Sequence, residues 1–262
     1  MRRHTEPARV AVAIAAASAV LATAGGDAQP LGRLRGRVLS HIGAPVDAAS
    51  LRIEALFGFL GGDYTGQKTF SLRTDAKGDW ALIGFKAGVW VFEASAPGQL
   101  PDVIALPINV SVAPSSGVGG DTPSWHPILR LASIPATPAG EVLAKAAEAA
   151  LAGRNQLVTA ELTRLADSSD EAALAAAGRI CLVLRDASTA RPFFRKALEQ
   201  NPRSFSAALG MASTALMQKD FDSAGKAYGD ARDRTDDRDE RSYLTAAIAD
   251  VNKVHIRLRS GH

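Results

Sequence analysis

The residues that chemistry would use first are few and far apart. Beyond the N-terminal segment the histidines are His41, His126, His255 and His262, too scattered for a metal-ligand spacing such as H-x-x-x-H. Cys181 is the single cysteine, so no intramolecular disulfide forms. It stands among apolar residues, where an inert buried thiol is the expectation. Asp75 and Asp79 flank Gly78, and two carboxylates on one turn bond its backbone more often than they bind calcium. No nucleophile elbow, phosphate-binding loop or Gly-x-Gly-x-x-Gly follows a strand pattern. These absences lead to the expectation of a protein that is not an enzyme, with no catalytic residue, metal or cofactor. The remaining candidates are rings: Tyr64, Trp80, Trp90 and Trp125 would suit a flat platform for stacking on sugars, or would close a protein core.

The elements that would position these groups fall into two textures. From residue 31 to 133, short apolar runs alternate with Gly, Pro and Asp. Leu34, Gly36 and Val38 alternate with Arg33, Arg35 and Arg37, a half-buried strand with a basic outer face. Leu51 and Ile53 alternate with Arg52 and Glu54, and Phe70 and Leu72 with Ser71 and Arg73. Residues 80–83 and 89–94 give two more strands, and 108–112 and 128–131 the last ones. Trp90 and Phe92 fall on the face opposite Val89 and Val91, so one of these faces must meet something apolar. Strands at this spacing predict an all-β sandwich.

The turns between them carry a resemblance. Gly36-Arg37-Val38 is followed by Gly43-Ala44-Pro45-Val46 and Ala49, then Thr74-Asp75, Gly78, Trp80, Gly84-Phe85, Gly88 and Pro97-Gly98. This order resembles the carboxypeptidase regulatory-like domain, a prealbumin-type sandwich that serves as an accessory module. The likeness is good over residues 33–98 and loose over 99–131.

Past residue 133 the chain becomes alanine-rich. Thr137 predicts an N-cap, with Pro138 at the first helical position and Glu141 in the first turn. Residues 138–258 then read as helices: a first pair over 141–152 and 156–166, a second over about 171–184 and 187–200, a third over 205–218 and 221–234, and a final helix over 240–257. Ser168-x-x-Glu171 has the form of a capping box. Gly178, Ala190, Phe194, Ala197 and Pro202 recur as Ala212, Ala224, Tyr228, Ala231 and Asp236, each displaced by 34 positions. A repeat of that length, with small residues around one ring, resembles the tetratricopeptide repeat. Pro192 departs from that pattern, and the charged run 230–241 reads as a solvated helix end.

The resemblance implies a groove lined by the first helix of each pair, with Leu143, Ala147, Arg179, Leu182, Leu209, Ser213, Leu216 and Tyr243 inward. The Lys, Arg and Asn cluster with which some members hold a peptide carboxylate is missing. A helix or apolar segment of a protein or peptide partner would suit the groove. The other occupant is this chain's own β domain or linker.

Location follows from the first 28 residues. Arg2, Arg3 and Arg9 precede an apolar run over 10–24, and Ala22-Thr23-Ala24 has the small-x-small form of a cleavage site, with a second possible site after Ala28. This predicts a cleaved signal peptide, with retention as an anchor the alternative, and an exported protein, periplasmic or extracellular, with no membrane span after cleavage. A net charge of +3 makes no case for nucleic acid. The expectation is a two-domain β plus α chain acting as a non-catalytic exported adaptor or scaffold for another protein. The competing expectation is a carbohydrate-binding envelope protein that meets a polysaccharide through the rings of its sandwich.

Overall fold

A computed structural model describes residues 32–58, 69–108 and 126–260. The N-terminal segment, Tyr64, Trp125 and the Ser/Gly/Pro-rich stretch 113–124 lie outside the described residues. Within them a β region precedes a helical one, as the change in sequence texture requires.

The strands are β1 (Gly32–Ser40), β2 (Ser50–Gly58), β3 (Thr69–Arg73), β4 (Asp79–Phe85), β5 (Gly88–Ser95), β6 (Gln99–Leu100), β7 (Asp102–Ile108) and β8 (Ile128–Ser133). They form two four-stranded sheets, ordered β4-β1-β8-β6 and β3-β2-β5-β7, and the β1–β8 pairing is parallel. In β1, Leu34 and Val38 are buried while Arg35 and Arg37 are exposed, so the alternation read from sequence marks a real inner face. Trp80 of β4 and Phe92 of β5 meet with ring centroids 5.8 Å apart, which places the two sheets face to face. Of the strand expected over 108–112 only Ile108 lies among the described residues, at the end of β7; the sequence reading missed the part before it, where Val103-Ile104-Ala105-Leu106 is buried on both sides and shows no alternation.

The second sheet is buried on its outer face as well. Across it, Ile53, Phe92 and Ile104 stand in one row and Ala55, Trp90 and Leu106 in another. Glu54, Val91 and Ala105 form a row of the opposite parity, and so do Arg52, Glu93 and Val103. Every residue of β5 from Gly88 to Ala94 is buried, because helices cover the face that would otherwise meet water. The molecule is therefore layered sheet, sheet, helices.

The helices are α1 (Pro138–Leu151), α2 (Asn155–Thr163), α3 (Glu171–Val183), α4 (Ala187–Gln200), α5 (Phe205–Met217), α6 (Phe221–Arg232) and α7 (Arg238–Ser260). Thr137 caps α1 by accepting from the Gly140 amide, with Pro138 in the first turn. Asp170, not Ser168, caps α3, and Glu171 instead accepts a hydrogen bond from Ser204, the cap of α5. The 34-residue period extends to these caps. Asp170 and Ser204 each accept from the amide three residues on, and Asp186 and Asp220 repeat the arrangement for α4 and α6. The turn residues Arg185 and Lys219, also 34 apart, both take positive φ, at 62° and 61°.

The ring of the repeat explains its small residues. Phe194 is fully buried, and a Cβ on Gly178 or Gly210 would come within 2.7 Å and 2.2 Å of its ring atoms. Three helices thus close on one side chain. Gly210→Ala should lower stability by about 1–3 kcal/mol, the usual cost of an overpacked core, read from the urea midpoint. A midpoint unchanged within error would mean that the ring has room to shift. Pro192 lies inside α4, a departure from the repeat that survives into the fold.

Candidate functional site at the filled groove

The inner residues expected from the repeat come from α1, α3, α5 and α7, and the structure brings them together on one surface. Leu143, Leu182, Leu209, Ser213, Leu216 and Tyr243 are all buried, and Arg179 is nearly so. α1 packs on α2, α3 and β6, while what the residues of α3, α5 and α7 meet is β7, the edge strand of this chain's own second sheet. α5 lies along it, flanked by α3 and α7.

The strand is held by its backbone. As an edge strand it has a side with no neighbouring strand, and such groups must find other partners when buried. The Ala105 amide donates to Ser213 Oγ at 3.1 Å, and the Tyr228 hydroxyl donates to the Ala105 carbonyl. One residue of β7 thereby has both polar groups satisfied by helical side chains. Tyr228 stands where Phe194 stands one repeat earlier, so the added hydroxyl turns a packing ring into a strand clamp.

Charges staple the seam on either side. Arg185, in the α3–α4 turn, donates from Nε and Nη2 to Glu54 at 3.2 and 3.0 Å and from Nη1 to Glu93 at 3.0 Å. The same Nη1 donates to the carbonyls of Leu182 and Val183, closing the end of α3. Lys219, its counterpart one period on, lies 5.1 Å from the centroid of the Phe57 ring, and Phe221 meets that ring edge-on at 6.2 Å. Consecutive repeats thus reach β2 through equivalent turn residues.

At the other end Arg130 of β8 donates to Glu240 at 2.6 Å and Asp237 at 2.8 Å, while its own amide donates to Asp102 at 2.7 Å. Arg179 donates to the other oxygen of Asp102 at 3.4 Å. Burial raises the Tyr243 phenol well above its ordinary pKa, and the nearby Glu240 and Asp102 carboxylates add to the rise. The run 230–241, expected to be solvated, is corrected here: Glu240 is 3% exposed and also accepts from Thr235. Sequence reasoning missed Asp102, Arg130, Asp237 and Glu240, whose partners in this cluster lie 28 to 110 residues away and leave no local signal.

The sugar-stacking expectation is corrected for the rings the structure describes. Trp90 is fully buried with Nε1 donating to the Lys86 carbonyl, and Trp80 is 4% exposed. Both build the core, leaving no flat face outward. Tyr64 and Trp125 lie outside the described residues. Cys181 is buried on α3, and burial pushes its thiol up to about 12. It should stay unmodified by a thiol reagent at pH 8 until denaturant is added, as followed by mass spectrometry; rapid labelling of the native chain would show that α3 opens locally.

Among the described residues no group of three or more His, Cys, Asp or Glu is placed to hold a metal ion, and no helix is long and apolar enough to cross a membrane.

The chain matches no protein-family model and no curated protein. Solved structures similar to it include hydroxyquinol 1,2-dioxygenase from Pseudomonas putida DLL-E4, at 13% identity and a TM-score of 0.30, covering 40% of this chain and 57% of that one. 3-Chlorocatechol 1,2-dioxygenase from Rhodococcus opacus 1CP is similar at 12% identity and a TM-score of 0.29, covering 41% and 61%. Catechol 1,2-dioxygenase from Pseudomonas arvilla C-1 is similar at 15% identity and a TM-score of 0.31, covering 45% and 56%. This chain therefore spans a little over half the length of each. The expectation that the protein is not an enzyme is corrected on this finding: these similar structures are enzymes, and missing local motifs do not exclude catalysis. A likeness at this level assigns no activity to this chain.

Proposed function

We propose that this protein is an exported interaction scaffold in which a prealbumin-type β-sandwich and an array of tetratricopeptide-like helix pairs act as one body. With β7 lying in the groove, the contact with a partner falls to the outer surface. The observation that carries the reading is the bare end of the array. Among the described residues the third pair is followed by α7, whereas the first pair has no helix before it. There Leu151 and Leu157 are 48% and 39% exposed, the large apolar side chains most open to water among the described residues of the helical region. Helical arrays need polar or covered ends to remain soluble, and an uncovered apolar end is where a further protein surface would stack.

The test is site-specific photocrosslinking in the native envelope. A crosslinker at Leu157 should capture one protein, a crosslinker at exposed Arg241 of α7 should not, and Leu151→Asp should weaken capture at least tenfold with the unfolding midpoint unchanged. Equal capture from both sites, or capture untouched by Leu151→Asp, would sink the proposal.

A further inference from the structure

Where the seam between sheet and helices opens, a cleft of about 190 Å³ lies between β7, β8, α3 and α5. Its walls are mostly apolar: Val103, Ile104, Ile128 and Leu209 are buried and Phe205 is partly so. Arg179 and Ser206 also line it, and each carries a buried polar atom, Nε and Oγ, with no hydrogen-bond partner. Buried polar atoms without partners are uncommon and costly, so a cleft that gathers two calls for an account.

The chemistry of the missing partner can be narrowed. Arg179 spends Nη1 on Asp102, which leaves Nε–H as a donor with nothing to accept it. The complement of such a donor is an acceptor oxygen. Charge then decides its kind. Among the residues that line the cleft the guanidinium groups of Arg130 and Arg179 balance the carboxylates of Asp102 and Glu240, His41 stands at its edge, and Asp237 lies outside it on Arg130, so both cations are already matched by carboxylates. An anion would meet no excess of positive charge. A cation would compete for carboxylate oxygens that already take hydrogen bonds from Arg130, Arg179 and Thr235. Volume sets the size, since a cavity of about 150 Å³ holds one benzene molecule.

We propose that this cleft is a binding site for a small, uncharged, largely apolar molecule, one ring with a short substituent, that presents a single hydrogen-bond acceptor to Arg179 and Ser206. The site is separate from the α1–α2 surface of the interaction reading and stands without it.

Calorimetry on the whole mature chain with three probes of one shape tests it. Benzamide, which is uncharged and carries a carbonyl, should bind. Benzoate, with the same outline and a charge, and toluene, with no acceptor, should bind at least tenfold more weakly. Ser206→Ala should weaken benzamide by roughly three- to tenfold, in keeping with one lost neutral hydrogen bond. Ala132→Phe, which fills the cleft from a partly buried position on β8, should abolish binding while leaving the unfolding midpoint near that of the parent. Three results would each overturn the proposal: no heat with benzamide, which would mean that water alone serves the orphaned atoms; equal binding of all three probes; or benzamide binding that survives Ala132→Phe in a folded chain.

Discussion

Replacing Arg185 with alanine will lower the midpoint of thermal unfolding by roughly 10 °C. The guanidinium bridges Glu54 and Glu93, whose side chains are each 9% exposed. Arg52 remains near Glu54 at 3.3 Å, so Glu93 is the carboxylate left without its partner. Removing one member of a buried pair costs about 3–5 kcal/mol, because the desolvated charge that remains has nothing to offset it. In a chain of this size each kcal/mol moves the midpoint by about 2–4 °C. The control separates charge from backbone. Arg185 and Lys219 share positive φ, a conformation that costs a non-glycine residue about 1 kcal/mol or more. Lys219→Gly should therefore be close to neutral, while Arg185→Gly should still destabilise strongly. Arg185→Met combined with Glu93→Leu should recover most of the loss. If Arg185→Ala unfolds within 2 °C of the parent, the staple contributes nothing.

The second large effect concerns the strand in the groove. Ser213→Ala together with Tyr228→Phe removes two oxygens and scarcely changes volume, yet it leaves the Ala105 amide and carbonyl buried and unpaired. Each orphaned group costs about 1–3 kcal/mol. The two losses will not add fully, since both act on one residue. Hydrogen exchange gives the sharper reading: the Ala105 amide should exchange many times faster in Ser213→Ala, while amides of β1 and β8 keep their protection. Unchanged exchange at Ala105 would show that packing alone holds β7 in place.

Much of this architecture could be read from the chain, and the reason lies in which interactions are local. The alternation in β1, the Thr137 cap before Pro138 and the match of Phe194 with Tyr228 are all written within one element or one repeat, and each reappears in the fold. The inward positions on α1, α3, α5 and α7 were what the resemblance to the tetratricopeptide repeat implied. What periodicity does not carry is the identity of the facing surface. β7 shows no alternation because both of its faces are covered. Trp90 looked available for a ligand because the alternation of β5 named two apolar faces without saying that the other sheet would cover one and the helices the other. Glu54 stands on the outward side of the alternation in β2, yet Arg185 arrives from 131 residues away to bind it, and from 92 residues away to bind Glu93. Glu240, inside a run of charges that suggested water, is buried against Arg130 for the same reason.

The dependence of β7 on distant side chains also has a meaning in time. A ribosome delivers the strand long before its clamps, for Ser213 follows Ala105 by 108 residues and Tyr228 by 123. Until they emerge, the nascent β domain has a hydrogen-bonding edge with no occupant, the surface that recruits strands from other copies. A fragment ending near residue 133 should accordingly be made as aggregates or oligomers, and adding the helical half as a separate chain during refolding should rescue it. The order of synthesis thus leaves this protein exposed for nearly half its length, and a holdase that shields the growing chain would act in that interval.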